Sequence, residues 1–279
     1  MLVNAKKMLE EAKLKRIAIP HFNINNLEWT KYILEECNSL KIPVILGVSE
    51  GAIKYMGGYN VVNFMVRSLL IDLNIEIPVC LHLDHGSSFE SCKKAIDAGF
   101  TSVMIDASQY ELEENIKITK KVVNYAKKKD VTVEAEIGHI GGTEDEVVNE
   151  IGFATIEECK KLVEETNIDF LAPALGSVHG IYKGEPNLNF ERMKKISEEI
   201  NLPLVLHGGT GLSSDDLKKA IDAGTCKINI NTELQIAWSR DVKKYLAENK
   251  EIYDPRKIIN SGEKAIKNSI KKIIDILQK

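Results

Sequence analysis

Pro78-Val79-Cys80-Leu81-His82-Leu83-Asp84-His85-Gly86-Ser87-Ser88 is an apolar run with a polar, glycine-marked end, and Lys93-Lys94-Ala95-Ile96-Asp97-Ala98-Gly99 follows it. The arrangement returns later in the chain. Pro203-Leu204-Val205-Leu206-His207-Gly208-Gly209, then Ser213-Ser214, leads into Lys218-Lys219-Ala220-Ile221-Asp222-Ala223-Gly224. Each copy reads as strand, turn, helix and helix stop. A near-continuous apolar run suits a strand buried on both faces of a parallel sheet, and the closing glycine ends the helix. Working outward, six more such runs lie at 16–21, 43–49, 100–105, 131–137, 168–175 and 226–230. Amphipathic stretches separate the eight runs, at 27–40, 61–73, 89–98, 112–129, 156–165, 190–200 and 213–223. Two more helical patterns, 233–248 and 255–277, follow the last run. Strict strand–helix alternation over this length predicts an α/β fold, a (β/α)8 TIM barrel with extra C-terminal helices. The competitor is a doubly wound open sheet. The repeat favours closure, because it relates strands three to four and seven to eight, half a barrel apart. No Pro/Gly/Ser-rich linker divides the chain, so 1–279 reads as one domain, with 233–279 as its helical extension.

Bulk properties exclude several classes of function. The net charge of −4 supplies no basic excess to neutralise phosphates, which argues against a nucleic-acid partner. Lysines alternate with glutamates along helical stretches and read as solvated faces. The start of the chain lacks the apolar segment of a signal peptide, and no run approaches the roughly 18 residues of a membrane helix. The five cysteines are scattered without a CxxC pair, so they read as reduced thiols, with Cys80 and Cys226 in the core. The expected compartment is the cytoplasm, with no membrane partner.

In a (β/α)8 barrel the C-terminal strand ends build the active site. Here those ends present Asn23, Ser49, Asp84, His85, Asp106, Glu136, Ser177, His179, His207, Asn229 and Asn231. That density of polar groups is costly to bury without something to satisfy it. His85, His179 and His207 each stand beside a glycine at the tail of an apolar run. Three neutral imidazoles with one open position make a catalytic zinc or cobalt site. Gly86, Gly180 and Gly208 allow close approach of backbone or ligand. His82 lies two residues before Asp84 and faces the same way, which suits a structural role. Asp84 reads either as an orienter of a metal-bound histidine or as a general acid/base beside the open position. Glu134 and Glu136 both face the barrel interior. Pairing with Lys227 is the plain explanation, and Glu136 with Asp106 is a candidate pair for a second divalent ion. Residues 138–149 carry two adjacent glycines and acidic residues, and they read as a mobile loop in which Glu144 or Asp145 is a candidate proton-transfer carboxylate. His139, in the same loop, reads as surface. Gly208 to Ser214 and Asn229 to Thr232 supply backbone N–H groups and hydroxyls after strands seven and eight, the usual barrel phosphate site, where Lys183 adds charge.

Together these residues resemble the class II, metal-dependent fructose-bisphosphate aldolases, in the shorter subgroup that includes tagatose-bisphosphate aldolases. The resemblance runs essentially from end to end. Its most specific pieces are HLDHGSSFESC (82–92), GFTSVMIDAS (99–108), LAPALGSVHGIYKGEPNL (171–188), LPLVLHGGTGL (202–212), KININTELQ (227–235) and YDPRK (253–257). The resemblance implies Zn2+ on His85, His179 and His207. It implies an alternative or second metal position at Asp106 and Glu136, and catalysis by Asp84 and Glu144 with Asn229. It also implies a phosphate site at Gly180, Lys183, Gly208, Gly209, Thr210, Asn229, Ile230, Asn231 and Thr232, with a monovalent cation nearby. Asn23 and Ser49 match contacts to the aldehyde-side fragment. Arg256 resembles an arginine that reaches the distal phosphate from a neighbouring subunit, which implies a homodimer or homotetramer. The helices after Glu233 carry apolar stripes beyond what closing a barrel needs, which points the same way.

The implied reaction is aldol cleavage and condensation of fructose 1,6-bisphosphate with dihydroxyacetone phosphate and glyceraldehyde 3-phosphate. The rival substrate is the phosphorylated ketose tagatose 1,6-bisphosphate, its C4 epimer. A lysine imine is the other way to stabilise the carbanion, but the sixth strand has no lysine and Lys227 has no evident activating neighbour. A barrel zinc hydrolase commonly carries an HxH pair on strand one, and Pro20-His21-Phe22-Asn23 has no second histidine. A non-enzymatic sugar-phosphate binder would not need Asp84, Glu144 and an open metal position together.

Overall fold

The structure of the chain, a computed structural model, describes residues 2–278 except 139, 145–146, 150–151, 181 and 183. For 141–144 and 147–149 it describes the backbone alone. The barrel strands are β1 (Ile19–Asn23), β2 (Val44–Val48), β3 (Val79–Gly86), β4 (Ser102–Ile105) and β5 (Thr132–Ile137), then β8 (Phe170–Pro173), β10 (Leu204–Leu206) and β11 (Thr225–Ile230). They pair in parallel in the closed order β1-β11-β10-β8-β5-β4-β3-β2, which excludes the open sheet. A separate sheet joins β6 (Gly141–Glu144), β7 (Val147–Asn149) and β9 (Val178–His179). The two strands of the repeat, β3 and β10, are the third and seventh around the barrel, as the repeat predicts.

The helices are α1 (Lys6–Lys15), α2 (Leu27–Leu40), α3 (Glu50–Met56), α4 (Tyr59–Asp72), α5 (Phe89–Asp97) and α6 (Leu112–Ala126), followed by α7 (Ile156–Thr166), α8 (Phe190–Ile200), α9 (Ser214–Asp222), α10 (Thr232–Glu248), α11 (Pro255–Asn260) and α12 (Glu263–Leu277). The repeat extends to their caps: the Ser88 and Ser213 hydroxyls accept from the backbone N–H groups of Ser91 and Asp216 at the starts of α5 and α9. Such a cap stabilises a helix by about 1 kcal/mol.

Two apolar cores result. The larger fills the space between strands and helices, with Phe22, Leu46, Leu81, Val103, Val133, Leu171, Leu206 and Ile228 facing out from the barrel. The smaller lies within the barrel's lower end, where α1 closes it: Met8, Leu9 and Ala12 meet Ile19, Ile45, Cys80, Phe170, Val205 and Cys226. All five cysteines are buried free thiols, as expected. No helix among the described residues is long and apolar enough to cross a membrane.

The structure departs from the sequence reading in four places. Helices α1 and α3 were not anticipated. The pattern over 255–277 is two helices, broken at Ser261–Gly262, because a Cβ at Gly262 would lie 2.1 Å from Trp238 Cδ1 of α10. The stripe of α12 is used within the chain, where Ile266, Ile270, Ile273, Ile274 and Leu277 are buried. That stripe therefore gives no support to an interface between subunits. Finally, residues 138–149 are not an irregular loop throughout: β6 and β7 form an antiparallel pair, and Gly141 and Gly142 pair in parallel with Val178 and His179.

Candidate active site

The strand ends converge at the mouth of the barrel. Asn23, Asp84, His85, His179, Gly180, His207, Gly208, Thr210, Asn229, Asn231, Thr232 and Gln235 line one pocket of about 230 Å³. A second pocket of about 550 Å³ shares Asn23, Asn231 and Gln235 with it and adds Ser49, Tyr55 and Trp238. Gln235, one turn into α10, lines the first pocket without having been singled out in the sequence reading, as do Tyr55 and Trp238 in the second.

His85 sits where β3 loses register with β4, between Leu83 and Gly86. Its φ of 49° is left-handed, an uncommon conformation for a residue with a side chain and one that clusters at functional sites. Ring positions follow from the carboxylates behind them. His85 Nδ1 lies 2.9 Å from Asp106 Oδ2, and Asp106 is held in turn by the Ser108 N–H and hydroxyl. His207 Nε2 lies 2.7 Å from Glu134 Oε1. Each carboxylate accepts the N–H of one ring nitrogen and so turns the other nitrogen, with its lone pair, into the pocket. Those inward atoms, His85 Nε2 and His207 Nδ1, are 3.0 Å apart. The His179 ring stands 4.9 Å from that of His85 and 5.6 Å from that of His207. One ligand atom from each of the three lies within 4.8 Å of the others.

This arrangement fits a divalent cation. At 3.0 Å the two inward nitrogens need positive charge between them, a proton or a metal ion, because two bare lone pairs would repel. A tetrahedral zinc with Zn–N bonds of about 2.0–2.1 Å spaces its nitrogens by about 3.3–3.4 Å, near the 3.0 Å between His85 Nε2 and His207 Nδ1 and inside the 4.8 Å that spans all three. The electrostatics agree. Burial opposes charge on His85, yet Asp106, Asp84 and Glu136 outweigh it and push its pKa well above the usual range. The surroundings therefore favour positive charge at this point. Burial, aided by His85 and His207 beside it, drives His179 well below the usual range. Burial also takes His207 down to about 4, against the pull of Glu134. Both are then neutral ligands at pH 7. A second set, His85, Asp106 and Glu136, also has its ligand atoms within 4.8 Å. Glu136 Oε2 is buried without a hydrogen-bond partner among the described residues, and burial together with Asp106 raises its pKa well above the carboxylate range. That set is a second candidate position.

Asp84 lies beside the imidazoles, 2% exposed. Asn23 Nδ2 donates to its Oδ2 at 2.7 Å and Asn229 Nδ2 to its Oδ1 at 3.3 Å. Burial opposes its ionisation, but His21, His85 and His207 outweigh burial and hold the carboxyl well below its usual range. It is therefore a carboxylate at neutral pH.

Across the pocket, α10 opens toward the site from Asn231, whose side chain makes no capping bond. Thr210 and Thr232 line the pocket at this helix start, and the Thr210 hydroxyl accepts from Glu233 N–H; the start of a helix favours negative charge. Gly208 is required here: its φ is +66°, and a Cβ would lie 2.1 Å from Val178 O. That approach brings β9, and with it His179, against the seventh strand end.

Other expectations land differently. Gly209 and Ile230 lie behind the lining, Ile230 only 1% exposed. The Ser49 hydroxyl caps α3, accepting from Ala52 N, at the edge of the second pocket. Arg256 projects into solvent on α11, paired with Asp254, and reaches neither pocket of its own chain. His139, Asp145 and Lys183, and the side chain of Glu144, lie outside the described residues. Lys227 pairs with Glu134 at 2.7 Å, both fully buried, as the plain reading held. That reading missed the second task of Glu134, the bond to His207.

A closed parallel barrel that gathers two imidazoles and a carboxylate at its strand ends, with a third imidazole from β9, beside the start of a helix defines a barrel enzyme. Comparison with known proteins makes this particular. The sequence profile of the family described as "Fructose-bisphosphate aldolase class-II" matches residues 3–279. The chain is 57% identical over 270 residues to the fructose-bisphosphate aldolase of Geobacillus stearothermophilus, covering 96% of this chain and 94% of that one. It is 58% identical over 271 residues to that of Staphylococcus aureus, covering 97% and 95%. Among solved structures, the YdjI aldolase from Escherichia coli K12 superposes with a TM-score of 0.85 at 32% identity, covering 99% of this chain and 97% of that one. The chain belongs to the class II fructose-bisphosphate aldolase family.

Proposed function

We propose that the chain cleaves fructose 1,6-bisphosphate to dihydroxyacetone phosphate and glyceraldehyde 3-phosphate and runs the reverse condensation. The observation that carries this reading is the set of inward imidazole nitrogens beside the Asp84 carboxylate, at the mouth of a family barrel. The relatives at 57% and 58% identity are named for the fructose substrate, which favours it over the C4 epimer.

His85, His179 and His207 hold the divalent ion, read as zinc with cobalt as the rival, and Asp106 and Glu136 offer a second position. When bound, the ion acts as a Lewis acid toward the ketose carbonyl. Asp84 takes the proton of the C4 hydroxyl. The C4–O bond becomes the aldehyde carbonyl as C3–C4 breaks, and the electron pair passes into an enediolate. Glu144 returns a proton to C3, which completes dihydroxyacetone phosphate. Asn229 holds Asp84 and reaches the substrate. Gly180, Lys183, the Gly208–Thr210 turn and Asn229–Thr232 bind the triose phosphate, with a monovalent cation beside it. Asn23 and Ser49 face the aldehyde half. Arg256, exposed on its own chain, serves the distal phosphate of a neighbouring subunit in a homodimer or homotetramer. The whole chain acts as one cytoplasmic domain.

Incubation with fructose 1,6-bisphosphate and zinc, with triose phosphates read by a coupled dehydrogenase, tests the reading. Turnover that chelation abolishes is expected, and so is full activity after borohydride treatment with substrate. Covalent trapping of substrate on a lysine would overturn it.

A further inference from the structure

Beneath Asp84, on β1, lies a histidine to which the reaction above assigns no part. His21 is fully buried, and neither of its ring nitrogens has a hydrogen-bond partner among the described residues. An unsatisfied buried polar group costs about 1–3 kcal/mol, so a ring left in this state needs a reason. Its Nε2 lies 3.5 Å from Asp84 Oδ2.

The surroundings are built around that ring. Gly47 faces it from β2, and a Cβ there would lie 1.7 Å from His21 Nε2 and 2.3 Å from Cε1. Glycine in a strand interior costs stability and marks a close approach. On the other side His21 meets the edge of His82, with ring centroids 5.6 Å apart and planes at 78°. His82 is itself anchored, its Nδ1 2.8 Å from the Ser102 hydroxyl. The ring is thus confined with Nε2 toward Asp84.

We infer that His21 is a positioning residue: its Nε2–H steadies the Asp84 carboxylate from below, and Gly47 clears the space it needs. The inference rests on the reading of Asp84 as proton acceptor. Asn23 and Asn229 also hold Asp84, but both line the pocket, so substrate competes for their amides. His21 is out of reach of substrate, so its hold persists when the other two exchange partners. Loss of the hold then slows the proton transfer and leaves substrate binding intact.

Three variants separate positioning from space filling. His21→Met fills the volume without a donor, and His21→Gln keeps a donor N–H of similar reach. For His21→Met and His21→Ala, kcat for fructose 1,6-bisphosphate is expected to fall about 10–100-fold, the scale of a misplaced catalytic group. KM and zinc content are expected to stay near those of the parent. His21→Gln is expected to recover most of kcat. A His21→Met enzyme with the parent's kcat overturns the inference, as does a His21→Gln enzyme no faster than His21→Met. Asp84→Ala is assayed alongside. If it is inactive and His21→Met is not impaired, the positioning role alone fails. If Asp84→Ala turns over normally, the reading of Asp84 fails and the inference with it.

Discussion

The two ends of the barrel use the same strands for opposite purposes. On β3, Cys80 belongs to the lower core sealed by α1, whereas Asp84 and His85, a few residues on, line the pocket. The lower end is apolar and buried, and its residues contribute stability. The upper end crowds carboxylates and imidazoles together, sets His85 at a positive φ, and leaves Glu136 Oε2 without a hydrogen-bond partner among the described residues. Such features cost stability and are kept where function needs them. Substitutions at the top are therefore expected to cost activity, and those at the bottom to cost stability.

The largest effect is expected at the top. Asp84→Ala should retain zinc and the parent's thermal midpoint while kcat falls by about 10²–10⁴-fold, the usual size of a general acid/base contribution. Steady-state kinetics with metal analysis checks this, and an active variant would break the contrast. Next comes the bottom. Leu9→Ala removes a fully buried side chain from α1 and should cost about 2–5 kcal/mol of stability. Denaturant unfolding would show the loss while kcat and KM of the folded fraction hold. A variant that lost activity without losing stability would mean that the plug communicates with the site. The smallest effect sharpens the contrast through the thiols. Burial raises Cys226 to about 11 and Cys80 and Cys159 to about 12, and drives Cys37 and Cys92 higher still. Because the shifts are upward, the thiolate is scarce at pH 8. An aromatic disulfide reagent should label no cysteine in the native chain, and all five in guanidinium. Fast labelling of Cys80 in the native chain would show that the lower end opens.

What was legible in the sequence follows from the range of the interactions. The eight strands showed because buried parallel strands must be apolar along their length, and the repeat placed β3 and β10 half a barrel apart. The site histidines showed because each stands beside a glycine, His85 and His207 at the end of such a run and His179 a few residues beyond one, on β9. What was missed depends on contacts distant in the chain. The α1 stretch is short and charged, its N-cap Ala5 makes no side-chain capping bond, and its buried face has meaning only against the barrel floor. The break at Gly262 is set by Trp238 of another helix. The β6 segment pairs with Val178–His179, far away in sequence. Glu134 carried a visible signal in its inward position, but its bond to His207 reaches past β8 to a residue 73 positions away in the chain. His21 lies two residues before Asn23 on the same strand, so alternation alone put it on the inner face. Only its approach to Asp84, the lack of any hydrogen-bond partner among the described residues and the space left by Gly47 give it a role.

The account turns on positive charge being held where three imidazole nitrogens meet. Metal analysis after exhaustive dialysis of the parent chain and of His85→Ala, His179→Ala and His207→Ala, with turnover measured on the same samples, tests this most directly. About one tightly held divalent ion per parent chain is expected, with loss of both ion and turnover in each variant. Three variants that keep the ion and cleave fructose 1,6-bisphosphate as fast as the parent would contradict it.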